Sequence, residues 1–189
     1  MAGFDEDLHV TQDFSSDAAA LSTAVDRAAR QADATSVFDA IHSACWKLAA
    51  YPDQGRIARV LVVLTDGQDN SSHRSLKQAI DAAENAGVTI YTFNTSEDYD
   101  MQTDANHVLR MIAEETGGES RYPRNMGDLD RYFNQLSEVI RSRYLIAYKP
   151  ADFIPDGSYR KLKVTASKDG RTLQVHVRKG YYARLAEIQ

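Results

Sequence analysis

Apolar residues recur at helical spacing along the first 50 residues of the chain. The stretches 18–32 and 37–50 each carry a stripe of apolar side chains three and four positions apart, which is typical of amphipathic helices. Ser36 lies directly before the second stripe, and Asp39 lies three residues after Ser36, which is the spacing of a capping box. We therefore predict two helices here, the second beginning at Val37.

The run Arg59–Thr65 is almost continuously aliphatic. A continuous run of this kind is typical of a parallel strand that helices cover on both faces, because neither face of the strand meets water. We expect this strand to be the most buried of the chain, with Val60, Val62 and Val63 in the core and Asp66 at the rim of the sheet.

Strand and helix patterns alternate after this run. Further strands are predicted at 88–93, 120–122 and 144–149, and further helices at 76–85, 105–116 and 129–143. Such alternation favours a doubly wound, mostly parallel α/β sheet of the Rossmann-like type, flanked by helices.

The last 39 residues have a different pattern. Two strand-like segments, 159–167 and 172–177, flank the polar turn 168–171, which indicates an antiparallel β-hairpin. We expect residues 1–150 to form the α/β domain and residues 151–189 a hairpin extension packed on the same domain.

Composition narrows the classes of partner. The formal net charge of −5 gives no electrostatic reason to expect nucleic acid or an anionic membrane surface as a partner. The longest apolar run is far shorter than the roughly 20 residues that span a bilayer, so no membrane span is predicted. The first residues lack the pattern of a secretory signal, so the compartment is not predicted.

The single cysteine, Cys45, lies in a helical apolar stripe and is expected to be a buried, inert thiol.

The polar segment 65–70 follows directly on the predicted central strand. Ligands of open α/β sheets bind beyond the carboxyl ends of the strands, where this segment lies. A carboxylate such as Asp66, beside hydroxyl groups from a second loop, suits Mg²⁺, which prefers hard oxygen ligands. An open coordination position would then accept a carboxylate from a partner.

Several motifs resemble the von Willebrand factor type A family, most closely a bacterial branch of it. In that branch Thr-Ser-x-x-Asp-Ala precedes Val-Leu-x-Asp-Gly-x-Asp, and this chain has Thr-Ser-Val-Phe-Asp-Ala at 35–40 and Val-Val-Leu-Thr-Asp-Gly-Gln-Asp at 62–69. Further similar segments lie at 86–91, 112–118 and 178–182. The resemblance covers nearly the whole chain and implies the same α/β fold.

The resemblance also implies a metal ion-dependent adhesion site. Thr35 would be the metal ligand of its second loop and Asp66 that of its third, while Ser36, Gly67 and Asp69 would form the ligand rim. The Asp-x-Ser-x-Ser loop that follows the family's first strand is missing here, so Mg²⁺ binding is expected to be weak or absent. The implied function is a protein-interaction or adhesion module that binds a protein ligand through an acidic side chain, with relatives that are commonly exported.

The resemblance further implies that the chain begins after the family's first strand and helix, with residues 3–10 similar to its second and third strands. In the family that first strand lies beside the counterpart of Arg59–Thr65. We expect the exposed edge to be covered by residues 1–10, by the terminal hairpin, or by a second copy in a homodimer.

The same residues also allow simpler interpretations. Thr35 and Ser36 could only cap a helix, and Asp66 could only form a turn. A metal-independent scaffold that binds through loops or the terminal hairpin is the second functional hypothesis. Ser72 and His73 lack the Gly-x-Ser-x-Gly elbow of a hydrolase, and no phosphate-binding loop is present, so no enzymatic activity is predicted.

Overall fold

A parallel sheet of three strands forms the centre of the domain. The computed structural model describes residues 1–5, 8–28, 36–52, 57–96, 103–144, 146, 148 and 150–183. Strands β3 (Arg59–Thr65), β4 (Val88–Asn94) and β5 (Ser120–Arg121) lie in the order β3-β4-β5 and are all parallel. This sheet, with helices on both faces, confirms the predicted α/β class.

The helices between these strands begin and end at recognisable capping residues. Helix α3 (Leu76–Ala86) starts with a capping box between Ser75 and Gln78 and ends at Gly87, which adopts a left-handed conformation. Helix α4 (Asp104–Thr116) begins behind the Thr103 side chain and ends at the left-handed Gly117. Each cap satisfies backbone groups that a helix terminus leaves unpaired.

Two apolar clusters hold the layers together. Helix α2 (Val37–Ala49) packs with α3 and α4 on one face of the sheet, around Ile41, Ile90 and Ile112. On the other face helix α5 (Met126–Arg141) packs Leu136 near Phe93, whose ring stacks on Phe133 with centroids 4.8 Å apart. Cys45 is fully buried between these helices, and burial raises the pKa of its thiol to about 12.

The most buried strand is β4, and the expectation for β3 was wrong. Every residue of β4 is buried, whereas in β3 only Val63 and Thr65 are, with Val60 and Val62 half-buried. The reason is sheet order, because β4 has a strand on each side while β3 pairs with β4 alone among the described strands. Asp66 lies at the rim and is partly exposed, as predicted.

The terminal segments form small separate sheets. Strands β1 (Ala2–Phe4) and β2 (Leu8–Val10) pair antiparallel and precede helix α1 (Ala18–Ala28). At the other end β6 (Tyr159–Lys161) pairs with β9 (Gly180–Tyr182), and β7 (Ala166–Lys168) with β8 (Arg171–Leu173). The hairpin consists of β7 and β8 and is therefore shorter than predicted. The start of the predicted first strand forms β6, which pairs with β9, and β9 follows the predicted second strand in sequence.

The extension packs on the α/β domain through polar contacts. The Tyr182 hydroxyl donates to Asp81 of α3 at 2.9 Å, and the Tyr159 hydroxyl donates to Glu84 at 3.2 Å. None of the helices in the described part of the chain is long and apolar enough to cross a membrane.

The strand predicted at 144–149 is not seen in the residues described there. Tyr144, Ile146 and Tyr148 have no strand conformation and are exposed. Their alternating pattern resembles a strand, but no neighbouring strand pairs with them, and a strand without a ladder partner gains little. Residues 145, 147 and 149, and 29–32 of the first predicted helix, lie outside the described residues.

Candidate functional site

The loop after β3 is fixed against helix α4. Thr65 is buried and its hydroxyl oxygen accepts a hydrogen bond from the Gly67 N–H at 3.2 Å. Gly67 has φ +82°, and a Cβ atom on it would lie 3.0 Å from Leu109 and 3.1 Å from Ala105. Glycine is therefore required both by the left-handed backbone and by the closeness of α4.

Asp69 joins the same loop to the first turn of α2. One carboxylate oxygen accepts from the Phe38 N–H at 2.8 Å and from the Ser72 hydroxyl at 2.7 Å, and the other accepts from the Ser72 N–H at 3.1 Å. The Ser72 oxygen in turn accepts from the Asp39 N–H at 3.1 Å. Two of the unpaired N–H groups at the start of α2 are thus capped by residues more than 30 positions away.

Ser36 does not form the predicted capping box. It occupies the N-cap position of α2, but its side chain makes no capping hydrogen bond. The residue is 2% exposed, and its hydroxyl oxygen has no hydrogen-bond partner among the described residues. The box is absent because Asp69 and Ser72 already occupy the N–H groups of Phe38 and Asp39.

Asp39, the other half of the predicted box, faces the β3–α3 loop. Its carboxylate accepts from the N–H groups of His73 at 2.9 Å and Arg74 at 3.1 Å, and from the Arg74 guanidinium at 3.1 Å. Burial disfavours the charged carboxylate, but these donors outweigh burial, so the pKa of Asp39 lies below its ordinary value. The Asp39 carboxylate therefore stabilises the join between α2 and the loop.

Four of the predicted site residues meet at the carboxyl edge of the sheet. Asp66 and Gly67 follow β3 directly, and Asp69 links them to the start of α2, where Ser36 lies. The Asp66 carboxylate is partly exposed and accepts one hydrogen bond, from the Gln68 N–H at 3.0 Å. Thr35, the fifth predicted residue, lies outside the described residues.

The donor groups in the described residues do not fit a Mg²⁺ site by themselves. Asp69 uses its carboxylate to accept three hydrogen bonds from protein groups, which leaves Asp66 as the rim carboxylate facing solvent. In the part of the chain that is described, no three His, Cys, Asp or Glu side chains group together as metal ligands would. Mg²⁺ needs near-octahedral oxygen coordination, and one carboxylate holds it poorly.

Sequence reasoning missed the roles of Ser72 and Asp39. From the sequence, Ser72 is considered as a candidate nucleophile, and Asp39 as a capping partner of Ser36 and a member of the family motif at 35–40. The spacing Asp69-x-x-Ser72 is itself the signal of a local carboxylate–hydroxyl turn, but its contact with α2 depends on tertiary packing.

The fold and the position of this loop define an open α/β domain with a polar rim beyond its parallel strands. The family model of the von Willebrand factor type A domain matches residues 4–138. The chain therefore belongs to the von Willebrand factor type A family.

Comparisons with individual proteins add little to the family assignment. No curated protein matches the chain. One similar solved structure, described as an uncharacterized membrane spanning protein from Vibrio fischeri, is 17% identical, and the match covers 73% of this chain and 74% of that chain with a TM-score of 0.39. No statement about the function of this chain follows from that similarity.

Proposed function

We propose that this domain is a protein-interaction module that binds at the rim, the edge of the sheet formed by Ser36, Asp66, Gly67 and Asp69, where Ser36 and Gly67 are buried and Asp66 and Asp69 are partly exposed. Members of the family are commonly involved in protein–protein interaction and adhesion. The observation that carries the proposal is the partly exposed Asp66 carboxylate on a loop held by α4 on one side and by α2 on the other. A rigid support of this kind lowers the entropic cost of binding a partner.

The metal ion-dependent adhesion site is proposed to be degenerate, with weak or absent Mg²⁺ binding. The hydrogen bonds that occupy Asp69 support this part of the proposal. The test is calorimetric titration with Mg²⁺ and Mn²⁺ of the natural domain, of Asp66→Asn, and of Asp152→Asn as a charge-matched control in an exposed turn. Saturable, submillimolar binding that Asp66→Asn alone abolishes would contradict a degenerate site.

Whether an acidic partner can bind depends on whether a cation is bound at the rim. Without a cation, the carboxylates of Asp66 and Asp69 would repel an acidic partner, so the expected acidic ligand requires Mg²⁺ or Mn²⁺. Matched peptides with a central Glu or a central Gln, titrated with Mg²⁺ or with a chelator, separate the two cases. A preference for Glu that the chelator removes supports an acidic ligand, and equal binding of both peptides supports the metal-independent scaffold.

A binding role is proposed in place of catalysis. The Ser72 hydroxyl donates to Asp69 and accepts from the Asp39 N–H, so it serves as a structural link. The His73 side chain is 93% exposed and its nearest acidic neighbour is Asp39, at 3.4 Å. These contacts do not assemble an activated nucleophile with an oriented base, which supports a non-enzymatic domain.

The free edge of β3 is proposed as the contact of a homodimer. Of the three covers expected for this edge, the strands described at 2–10 and at 159–182 pair among themselves and not with β3, which supports the third cover, a second copy. Antiparallel pairing of β3 with its own copy would give a closed, isologous contact.

A further inference from the structure

A cavity of about 510 Å³ lies at the carboxyl ends of β4 and β5, beside the rim but separate from it. Asn94, the last residue of β4, forms part of its wall, together with the β5–α5 connection and the first two turns of α5. This volume falls within the range typical of small-molecule sites, roughly 300–1,000 Å³. None of the predicted site residues in the described part of the chain belongs to its lining.

Positive charge dominates the cavity lining. Arg121, Arg124 and Arg131 line it, against the carboxylate of Asp128. Asp128 pairs with Arg131 at 2.7 Å, and Arg121 pairs with Glu119, which lies outside the lining, at 2.7 Å. The concentration of guanidinium groups is notable in a chain whose net charge is −5. An anion that entered the cavity would meet more positive than negative charge.

Two of the three guanidinium groups, those of Arg121 and Arg131, each contact an aromatic ring and a carboxylate before any ligand binds. The carbon at the centre of the Arg121 guanidinium lies 5.3 Å from the centroid of the Tyr132 ring, and that of Arg131 lies 5.1 Å from it. Cation–π contacts of this length, with the ion pairs, restrict the rotamers of both side chains. Fixed guanidinium groups lose less entropy when they bind a planar or tetrahedral oxyanion.

The cavity floor is a hydrogen-bonded network. The Thr92 hydroxyl donates to Ser120 at 2.8 Å, Ser120 donates to the Tyr122 hydroxyl at 3.2 Å, and Tyr122 donates to the Asn106 carbonyl at 3.1 Å. Asn94 donates through its side chain to that of Asn106. The network joins β4, β5 and α4 and cross-links four of the lining residues, Asn94, Asn106, Ser120 and Tyr122.

From this arrangement we infer that the cavity binds a small organic anion through a phosphate or carboxylate group. Arginine recognises both groups through paired N–H donors. The inference is independent of the proposed interaction function, because the arginines lie at the end of β5, in the connection after it and in α5, whereas the rim lies after β3 and at the start of α2.

The test uses inorganic phosphate and citrate as probes at constant ionic strength, followed by calorimetry and by amide shifts in NMR spectra. Arg124→Gln and Arg131→Gln are compared with Arg110→Gln, which removes the same charge from α4 outside the cavity. We expect saturable binding of at least one probe, weakened about tenfold or more by each cavity variant and unchanged by Arg110→Gln. Binding of phosphate alone or of citrate alone identifies which group the cavity prefers.

Two results would overturn the inference. The first is the absence of saturable binding of either probe to the natural domain. The second is equal weakening in all three variants, which would indicate general attraction to a surface. If a cavity variant is unfolded by circular dichroism, the amide shifts of the natural domain decide: perturbation centred on residues 120–132 supports the site, and perturbation spread over the surface contradicts it.

Discussion

Strands β3 and β4 are adjacent and parallel, and each has seven residues, yet their environments differ sharply. The more apolar strand is β3, which is mostly aliphatic, while β4 contains Thr89, Thr92 and Asn94. Nevertheless β4 is buried at every position and β3 is not, with Leu64 44% exposed. Position in the sheet, more than apolar content, therefore decides burial here.

The polar residues of β4 are tolerated inside because each has a partner. The Thr92 hydroxyl donates to the Ser120 hydroxyl at 2.8 Å, and Thr89 accepts from the Arg143 guanidinium at 2.6 Å. A buried polar group costs free energy only where such a partner is missing. A prediction that counts only apolar residues gives no weight to these hydrogen bonds, so it predicts greater burial for β3 than for β4.

The largest effect is expected from truncating matched positions on the two strands. Phe93 is 1% exposed and stacked on Phe133, while its register partner Leu64 faces solvent. Phe93→Ala should lower the free energy of unfolding by about 3–5 kcal/mol, and Leu64→Ala by less than about 1 kcal/mol. Urea denaturation measures both. Equal losses would mean that the burial difference between the strands has no energetic consequence.

Much of the fold followed from the sequence because its signals are local. Helical apolar stripes and the aliphatic run at 59–65 are recognised within a few residues of sequence. The residues described between 144 and 149 are not in a strand, because a strand also needs a partner edge, which no local pattern supplies.

The candidate site was predicted in part for the same reason. Asp66 was predicted from its position after a strand and from the family resemblance, and Gly67 from the resemblance. The link from Asp69 to Phe38 spans 31 residues of sequence, and the arginine cavity combines side chains from a strand, a loop and a helix. Such contacts exist only after the layers pack, so spacing along the chain did not indicate them.

The next largest effect tests whether polar links stabilise the end of β3 where apolar burial is lacking. Asp69→Ala leaves the Phe38 N–H and the Ser72 groups without their acceptor. We expect a loss of about 1–3 kcal/mol in the free energy of unfolding. Asp66→Ala, which removes a carboxylate that accepts one hydrogen bond at the rim, should change it by less than about 0.5 kcal/mol. A larger effect at Asp66 than at Asp69 would reverse the assigned roles.

A smaller, pH-dependent effect is expected at Asp39. Because its pKa is lowered in the folded state, its charged form contributes stability above the ordinary aspartate pKa of about 3.9, and this contribution is lost as the pH falls through the folded value. Asp39→Asn should therefore flatten the fall in stability on the acid side, in thermal unfolding followed from pH 7 to acid pH. Arg74→Gln, which removes one of the donors, should flatten it partially. An unchanged slope in both variants would exclude Asp39 from the acid transition.

The smallest effect on folding is expected from Leu64→Lys, which addresses the open edge of β3 directly. Leu64 is 44% exposed, so a lysine there should change the free energy of unfolding by only about 0.5 kcal/mol. A charged lysine on an edge strand opposes pairing with another strand, because its ammonium group would have to be desolvated or brought near its symmetric copy. If a second copy covers β3, light scattering at micromolar concentration should show a dimer for the natural domain and for Leu64→Ala, and a monomer for Leu64→Lys. Pairing at this edge would then explain both why β3 is only partly buried within one copy and why two copies associate. A natural domain that is monomeric at these concentrations would contradict the dimer and would leave β3 as a water-exposed edge whose stability comes from β4 and from the Asp69 link.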